Sequence, residues 1–296
     1  KFLCPAPGYD RHFAITEHFG IEMITVPNNS NGPDMDKIEE LIKDPSVKGM
    51  WCVPKYSNPE GITYSDEVVK HLANMKPAAK DFRIFWDNAY AIHDLYDNGD
   101  ELLNIYDECV KAGNPDLVIM FTSTSKITFP GAGVAAQGAS PNNVELLKSR
   151  MQFQTIGPDK LNQLRHARMF RSVDDIKAHM KEHAAILRPK FESVLYELDK
   201  ELKGLEIASW NKPKGGYFIS LNVMNGCAKR VEELCAGAGM ILTKVGATYP
   251  YGIDEKDSNI RIAPSFPPVE EIKKASIILC VSVRYAALEK LLNDIA

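Results

Sequence analysis

The sequence predicts an α/β fold: a mostly parallel sheet with flanking helices, followed by a smaller C-terminal α+β unit. Three observations predict it. The apolar runs Val47–Val53, Phe82–Trp86 and Leu117–Phe121 are nearly continuous rather than alternating, as expected of strands covered on both faces. Helical stretches separate these runs, giving the strand–helix–strand order of right-handed crossovers. Beyond about residue 175 the pattern changes to a long helix, short strands and a terminal helix.

Taken in order, Lys1-Phe2-Leu3-Cys4 reads as a strand at the very start of a chain that opens without Met, so residues are expected upstream. Between the first two runs, Ser65 is placed to cap a helix reaching Ala79, with Val68, Leu72, Met75 and Ala79 at helical spacing. Between the second and third, Glu101 to Lys111 forms another, ended by Gly113 and Pro115. Val173 to Leu202 reads as one helix or two, with Pro189 marking a kink or joint. Strand-like segments flank a turn at Gly215-Gly216 within Ile207–Val223. Val231–Ala238 is helical, Asn259–Ala263 strand-like, and a helix runs from Val269 to about Asn293. The expected division is 1–175 for the large unit and 176–296 for the small one. No internal repeat or low-complexity tract interrupts this order.

With 296 residues, 45% hydrophobic and 25% charged, the chain can bury a substantial core. A formal net charge of −4 offers no basic face for nucleic acid or an anionic membrane. Six scattered cysteines without a C-x-x-C pair indicate neither a zinc site nor a disulfide framework, and fit a reducing cytoplasm. No apolar stretch approaches the roughly 20 residues that span a bilayer, and the start lacks a secretory pattern.

Ligands of open parallel sheets bind beyond the carboxyl ends of the strands. The three runs lead into Ser57-Asn58-Pro59-Glu60-Gly61, Asp87-Asn88-Ala89-Tyr90 and Thr122-Ser123-Thr124-Ser125-Lys126. Each alone is explained by turn chemistry or loop solubility. Together, in this order, they form a site.

These motifs, with Pro7-Gly8-Tyr9, Gly215-Gly216-Tyr217-Phe218 and Asn259-Ile260-Arg261-Ile262, resemble those of fold-type I pyridoxal phosphate (PLP) aminotransferases of the aspartate aminotransferase group. The resemblance runs from Pro7 to the C-terminus. The stretches Gln154–His166 and Arg261–Pro268 are similar to a bacterial aspartate or alanine-glyoxylate subgroup. It implies that Lys126 holds the cofactor as a Schiff base and moves the Cα proton, since lysine can form and exchange that imine. By the same resemblance, Asp87 keeps the pyridine nitrogen protonated, a nearby carboxylate favouring its charged form. Asn58 and Tyr90 then donate to the phenolic oxygen, Tyr9 stacks on the ring, and Ser123 and Ser125 donate to the phosphate. Arg261 matches the arginine that clamps the substrate carboxylate, a task suited to the guanidinium fork, with Asn58 beside it.

The resemblance implies a ping-pong transaminase that takes L-aspartate or L-alanine and a 2-oxo acid, as a homodimer. Departures accompany it. Val134 stands where many relatives have a phosphate-binding arginine, and the upstream phosphate turn of relatives lies before this chain. Arg165 and Arg168 are the nearest matches to the arginine that reads a second carboxylate, and they read as solvated helix charges. His179 and His183 have metal-ligand spacing but no third ligand, so they read as an exposed polar face. Two rivals stand beside the transaminase: another PLP reaction at Cα, such as elimination or decarboxylation, and a PLP-sensing module of a transcription regulator.

Overall fold

The structure is a computed structural model and describes residues 1–295. Among them, strands β1 (Phe2–Ala6), β2 (Met23–Asn29), β3 (Gly32–Pro33), β4 (Gly49–Cys52), β5 (Arg83–Asp87), β6 (Val118–Ser123) and β7 (Ala135–Ala139) form one sheet. Its order is β3-β2-β1-β4-β5-β6-β7, parallel from β2 to β6 and antiparallel at both outer strands. The outer pairings follow from connection length. Residues 124–134 between β6 and β7 are too few for a crossover helix, so the chain turns straight back.

The three apolar runs became β4, β5 and β6, and Leu3, Met50, Ile84 and Val118 are fully buried in the sheet. Helix α1 (Asp10–His18) follows β1, and α2 (Met35–Leu41) follows the short β2–β3 turn. Helices α3 (Asp66–Asn74) and α4 (Ile105–Lys111) add Val69, Leu72, Ile105 and Cys109 to the same core. Burying each large apolar side chain stabilises the fold by about 1.5–3 kcal/mol. Ser65 caps α3 by accepting from Val68 N–H, as expected. The helix stops at Asn74 rather than Ala79, because Met75 is extended ahead of Pro77. Likewise α4 starts at Ile105, not Glu101, where the Asn104 side chain accepts from Tyr106 N–H.

Helices α5 (Pro141–Gln154) and α6 (Lys160–Met169) lead to α7 (Val173–Leu202). Pro189 neither divides nor ends α7, which runs 30 residues as one helix. A proline within a helix costs about 3 kcal/mol. Leu187, Phe191, Val194 and Leu198 on the same helix offset that cost by packing into the second core.

That core lies against a three-stranded antiparallel sheet of β8 (Ala208–Trp210), β9 (Ile219–Val223) and β10 (Asn259–Ile262), in the order β10-β9-β8. Helix α8 (Ala228–Gly237) and the terminal helix α9 (Val269–Ile295) cover it. The two sheets meet where Leu95 N–H donates to Lys214 O and Gly216 N–H to His93 O. All six cysteines are buried and free. No described helix is long and apolar enough to cross a membrane.

Candidate active site

Four parallel strands deliver polar residues to one edge of the large sheet. Tyr9 follows β1, Asn58 follows β4, Asp87 ends β5 with Tyr90 just beyond, and Lys126 follows β6. Adjacent strands of a parallel sheet end together, so residues far apart in sequence become neighbours. Arg261 comes from β10 of the other sheet and reaches the same place, touching Asn58.

Asp87 is held from behind by His12, a residue that no sequence motif singled out. His12 Nε2 donates to Asp87 Oδ2 at 2.9 Å, and its ring stacks on Trp51 with centroids 4.0 Å apart. Trp51 Nε1 in turn donates to the Thr16 hydroxyl. The carboxylate is fixed by a charge-assisted bond from a histidine that is itself locked in place. Tyr9 lies edge-on to the same histidine, 5.0 Å away between centroids.

Lys126 stands on a pedestal of backbone bonds. Its carbonyl accepts from the Tyr217 hydroxyl at 3.2 Å and from His93 Nε2 at 3.3 Å. The next carbonyl, of Ile127, accepts from His179 Nε2 at 2.8 Å. Thr124 and Thr128 each donate a hydroxyl to His166 Nε2 at 2.9 Å, while His166 Nδ1 donates to Asn162 O. The segment after β5, the approach to β9, α6 and α7 together hold the lysine loop. His179 and His183 are half-buried against one another rather than an exposed polar face, because α7 lies over that loop.

The Lys126 amine lies 5.0 Å above the Tyr90 ring. Partial burial lowers its pKa from the ordinary lysine value, with the Asp87 charge acting in the opposite direction. Tyr90 is buried and its phenol is pushed up by desolvation, so its hydroxyl is a donor at neutral pH. Burial pushes the His93 imidazole down to about 4, so it is neutral and donates through Nε2 to the Lys126 carbonyl. Gly215 is required here, since any Cβ would run into the Tyr56 ring and the His93 carbonyl.

The Arg261 side chain is 9% exposed. Its Nη1 donates to Asp10 Oδ1 at 3.0 Å and Asn58 Oδ1 at 3.2 Å, and the guanidinium lies over the Phe218 ring at 5.1 Å. Arginine only donates, so Asn58 must present its oxygen there, which turns its Nδ2 away to serve as a donor. Arg261 Nε is buried with no protein partner among the described residues. An orphan donor of this kind costs about 1–3 kcal/mol until something accepts from it.

Tyr9, Asn58, Asp87, Tyr90, Lys126 and Arg261 are thus gathered on one edge. Ser123 and Ser125 lie on the lysine loop, where Ser125 N–H donates to the Ser123 hydroxyl and Gly133 packs against Ser125. Val134 O accepts from Thr124 N–H and Val134 N–H donates to the Thr124 hydroxyl, and Arg165 and Arg168 are exposed on α6. Asp10, His12, His93, His166 and Tyr217 were not read from the sequence. Tyr217 and His166 lay within stretches that carried the resemblance; Asp10, His12 and His93 showed no periodic signal.

A family model described as aspartate amino-transferase matches residues 1–294. The aspartate aminotransferase of Corynebacterium glutamicum is 50% identical over 293 residues, covering 99% of this chain and 68% of that protein. The solved structure of an aspartate transaminase from Corynebacterium glutamicum superposes with a TM-score of 0.96 at 50% identity, over 98% of this chain and 68% of that one. An α-aminoadipate aminotransferase from Thermus thermophilus, solved with N-(5'-phosphopyridoxyl)-L-leucine, shares the fold at a TM-score of 0.81 and 23% identity, over 97% of this chain and 72% of its own.

Proposed function

The chain belongs to the aspartate aminotransferase family, and on that premise we propose that it is a PLP-dependent transaminase centred on Lys126, passing an amino group from L-aspartate or L-alanine to a 2-oxo acid. The arrangement that carries this reading is a partly buried amine, a carboxylate fixed by His12 and an arginine with an unused donor, all on one edge of the sheet.

The residues present fit the cofactor. Asp87, braced by His12, would take the protonated ring nitrogen, with Tyr9 against the ring face and Asn58 Nδ2 and the Tyr90 hydroxyl donating to the phenolic oxygen. Ser123, Ser125 and nearby backbone amides would hold the phosphate without an arginine at Val134. When bound, PLP supplies an aldehyde carbon that reacts with amines and a ring that accepts the electron pair released at substrate Cα.

This chain's residues contribute positioning and proton movement. Lys126 Nζ is the mobile base: its lowered pKa enlarges the neutral fraction that can take the Cα proton. Tyr217 and His93 hold its backbone carbonyl, so the side chain swings from a fixed root. Arg261 offers Nε to the substrate carboxylate, which orients Cα toward the lysine. The dimer expected from the resemblance is part of this proposal, as are the small-molecule partners.

The test is the visible spectrum of the protein with PLP. L-aspartate or L-alanine should abolish the band of the resting cofactor and a 2-oxo acid should restore it, while Lys126→Ala should show neither change. Binding of PLP without any amino-group exchange would exclude the transaminase reading and favour the elimination or sensing alternatives.

A further inference from the structure

The role of Asp10 rests on the proposed function, in which Arg261 clamps the substrate carboxylate. A guanidinium presents two forks, one of which pairs Nε with Nη2 and suits a carboxylate bound side-on. Both described side-chain contacts of Arg261 fall on Nη1: Asp10 Oδ1 at 3.0 Å and Asn58 Oδ1 at 3.2 Å. Its flat face is taken by Phe218. Nε is buried with no partner among the described residues. The pattern of contacts is therefore selective: among the described residues, both hydrogen-bond partners of the guanidinium sit on Nη1 and leave Nε and Nη2 without one.

Asp10 is the charged member of that set, and its position is informative. It opens α1, directly after Tyr9, whereas Arg261 lies on β10 of the other sheet, 251 residues away. The ion pair joins the two sheets across the site. Its Asp10 end is 44% exposed and its Arg261 end 9% exposed.

From these observations we infer that Asp10 is a positioning residue. It fixes the rotation of Arg261 about its long axis so that the Nε–Nη2 fork faces an incoming carboxylate. Asp10 engages the far nitrogen and does not touch that carboxylate. Asn58 holds the same nitrogen but is neutral, so the directional charge comes from Asp10. A carboxylate then binds without first reorienting a side chain that has several rotatable bonds. Because both the amino acid and the 2-oxo acid present this carboxylate, both half-reactions depend on Asp10.

The experiment compares full-length wild type, Asp10→Ala, Asp10→Asn and Lys126→Ala. Asp10→Ala should raise KM for the amino donor and the 2-oxo acid about tenfold each, with kcat within about threefold, the signature of lost uniform binding. Asp10→Asn keeps an acceptor oxygen but loses the charge, so it should recover only part of the KM, falling between wild type and Asp10→Ala. Equal thermal midpoints would separate this role from a structural staple. A fall in kcat at unchanged KM, or a KM unchanged in Asp10→Ala, would overturn the inference.

Calorimetric titration with succinate, which carries no amino group to transfer, provides the second readout. Its affinity should fall in Asp10→Ala and persist in Lys126→Ala. If wild type shows no amino transfer yet succinate affinity still depends on Asp10, the transaminase reading fails and the role of Asp10 stands. If amino transfer proceeds and succinate affinity is indifferent to Asp10, the reverse holds.

Discussion

The Asp87 carboxylate is worth only as much as the geometry that holds it, and that geometry comes from His12 and Trp51. A hydrogen bond to a charged group contributes about 1.5–3 kcal/mol, and about 1.4 kcal/mol is tenfold in rate. His12→Phe should therefore lower kcat/KM by about ten- to a hundredfold while the phenyl ring keeps the stack on Trp51. Asp87→Asn should cost more, about 10²–10³-fold, since it removes the charge itself. Steady-state kinetics on both variants decides the order; a His12→Phe defect equal to that of Asp87→Asn would mean that the histidine has a role of its own beyond bracing.

At the scale of elements, the lysine loop is a strand-to-strand turn clamped by helices from outside the large sheet's parallel core. His166 on α6 accepts from both Thr124 and Thr128, and Asn162 Nδ2 donates to Gly133 O. His166→Ala should leave the Thr124 hydroxyl without its acceptor and Thr128 with only Thr124 to donate to, so amides of residues 124–134 should exchange with solvent faster while those of β5 stay protected. Unchanged exchange in that segment would show that the β6–β7 ladder alone holds the loop. Strands β4, β5 and β6 and the residues at their ends were legible in the sequence, because these runs are apolar on both faces and each ends in a run of polar residues, whereas β2, with its polar Asn28-Asn29 end and mixed burial, was not. The bracing residues were not. His12 and Asp10 sit on α1, nine residues long, and their partners lie 75 and 251 residues away, beyond any periodic pattern. Pro189 left one helix or two open in the sequence, and the packed core around Phe191 shows why the helix continues as one.

At the scale of the whole molecule, the junction between the two sheets carries a buried histidine and a partly buried carboxyl with opposite preferences. His93, wedged between the Lys126 carbonyl and the 214–216 segment, is pushed by burial from 6.5 to about 4. Its folded-state value is depressed, so the stability it contributes is present above pH 6.5 and lost as pH falls through 4. Glu60, whose backbone carbonyl accepts from Asn211 and whose carboxyl meets Asn28, is pushed by burial from 4.5 to about 7, with the Asn28 bond acting against the shift. Its folded-state value is raised, so its contribution is fully present below pH 4.5 and is lost as pH rises through 7. Each shift amounts to at most about 3 kcal/mol, and between pH 4.5 and 6.5 the two slopes oppose one another. Wild-type stability should therefore vary less across that window than either variant's does. Glu60→Gln leaves the histidine uncompensated and should lose stability on going from about pH 6.5 to about 4.5. His93→Gln retains a donor for the Lys126 carbonyl, leaves the carboxyl uncompensated, and should lose stability on going from about pH 4.5 to about 7. Urea unfolding of the three proteins at about pH 4.5, 5.5, 6.5 and 7.5 measures both slopes, and variant curves parallel to wild type would show that the junction opens to water before either group titrates.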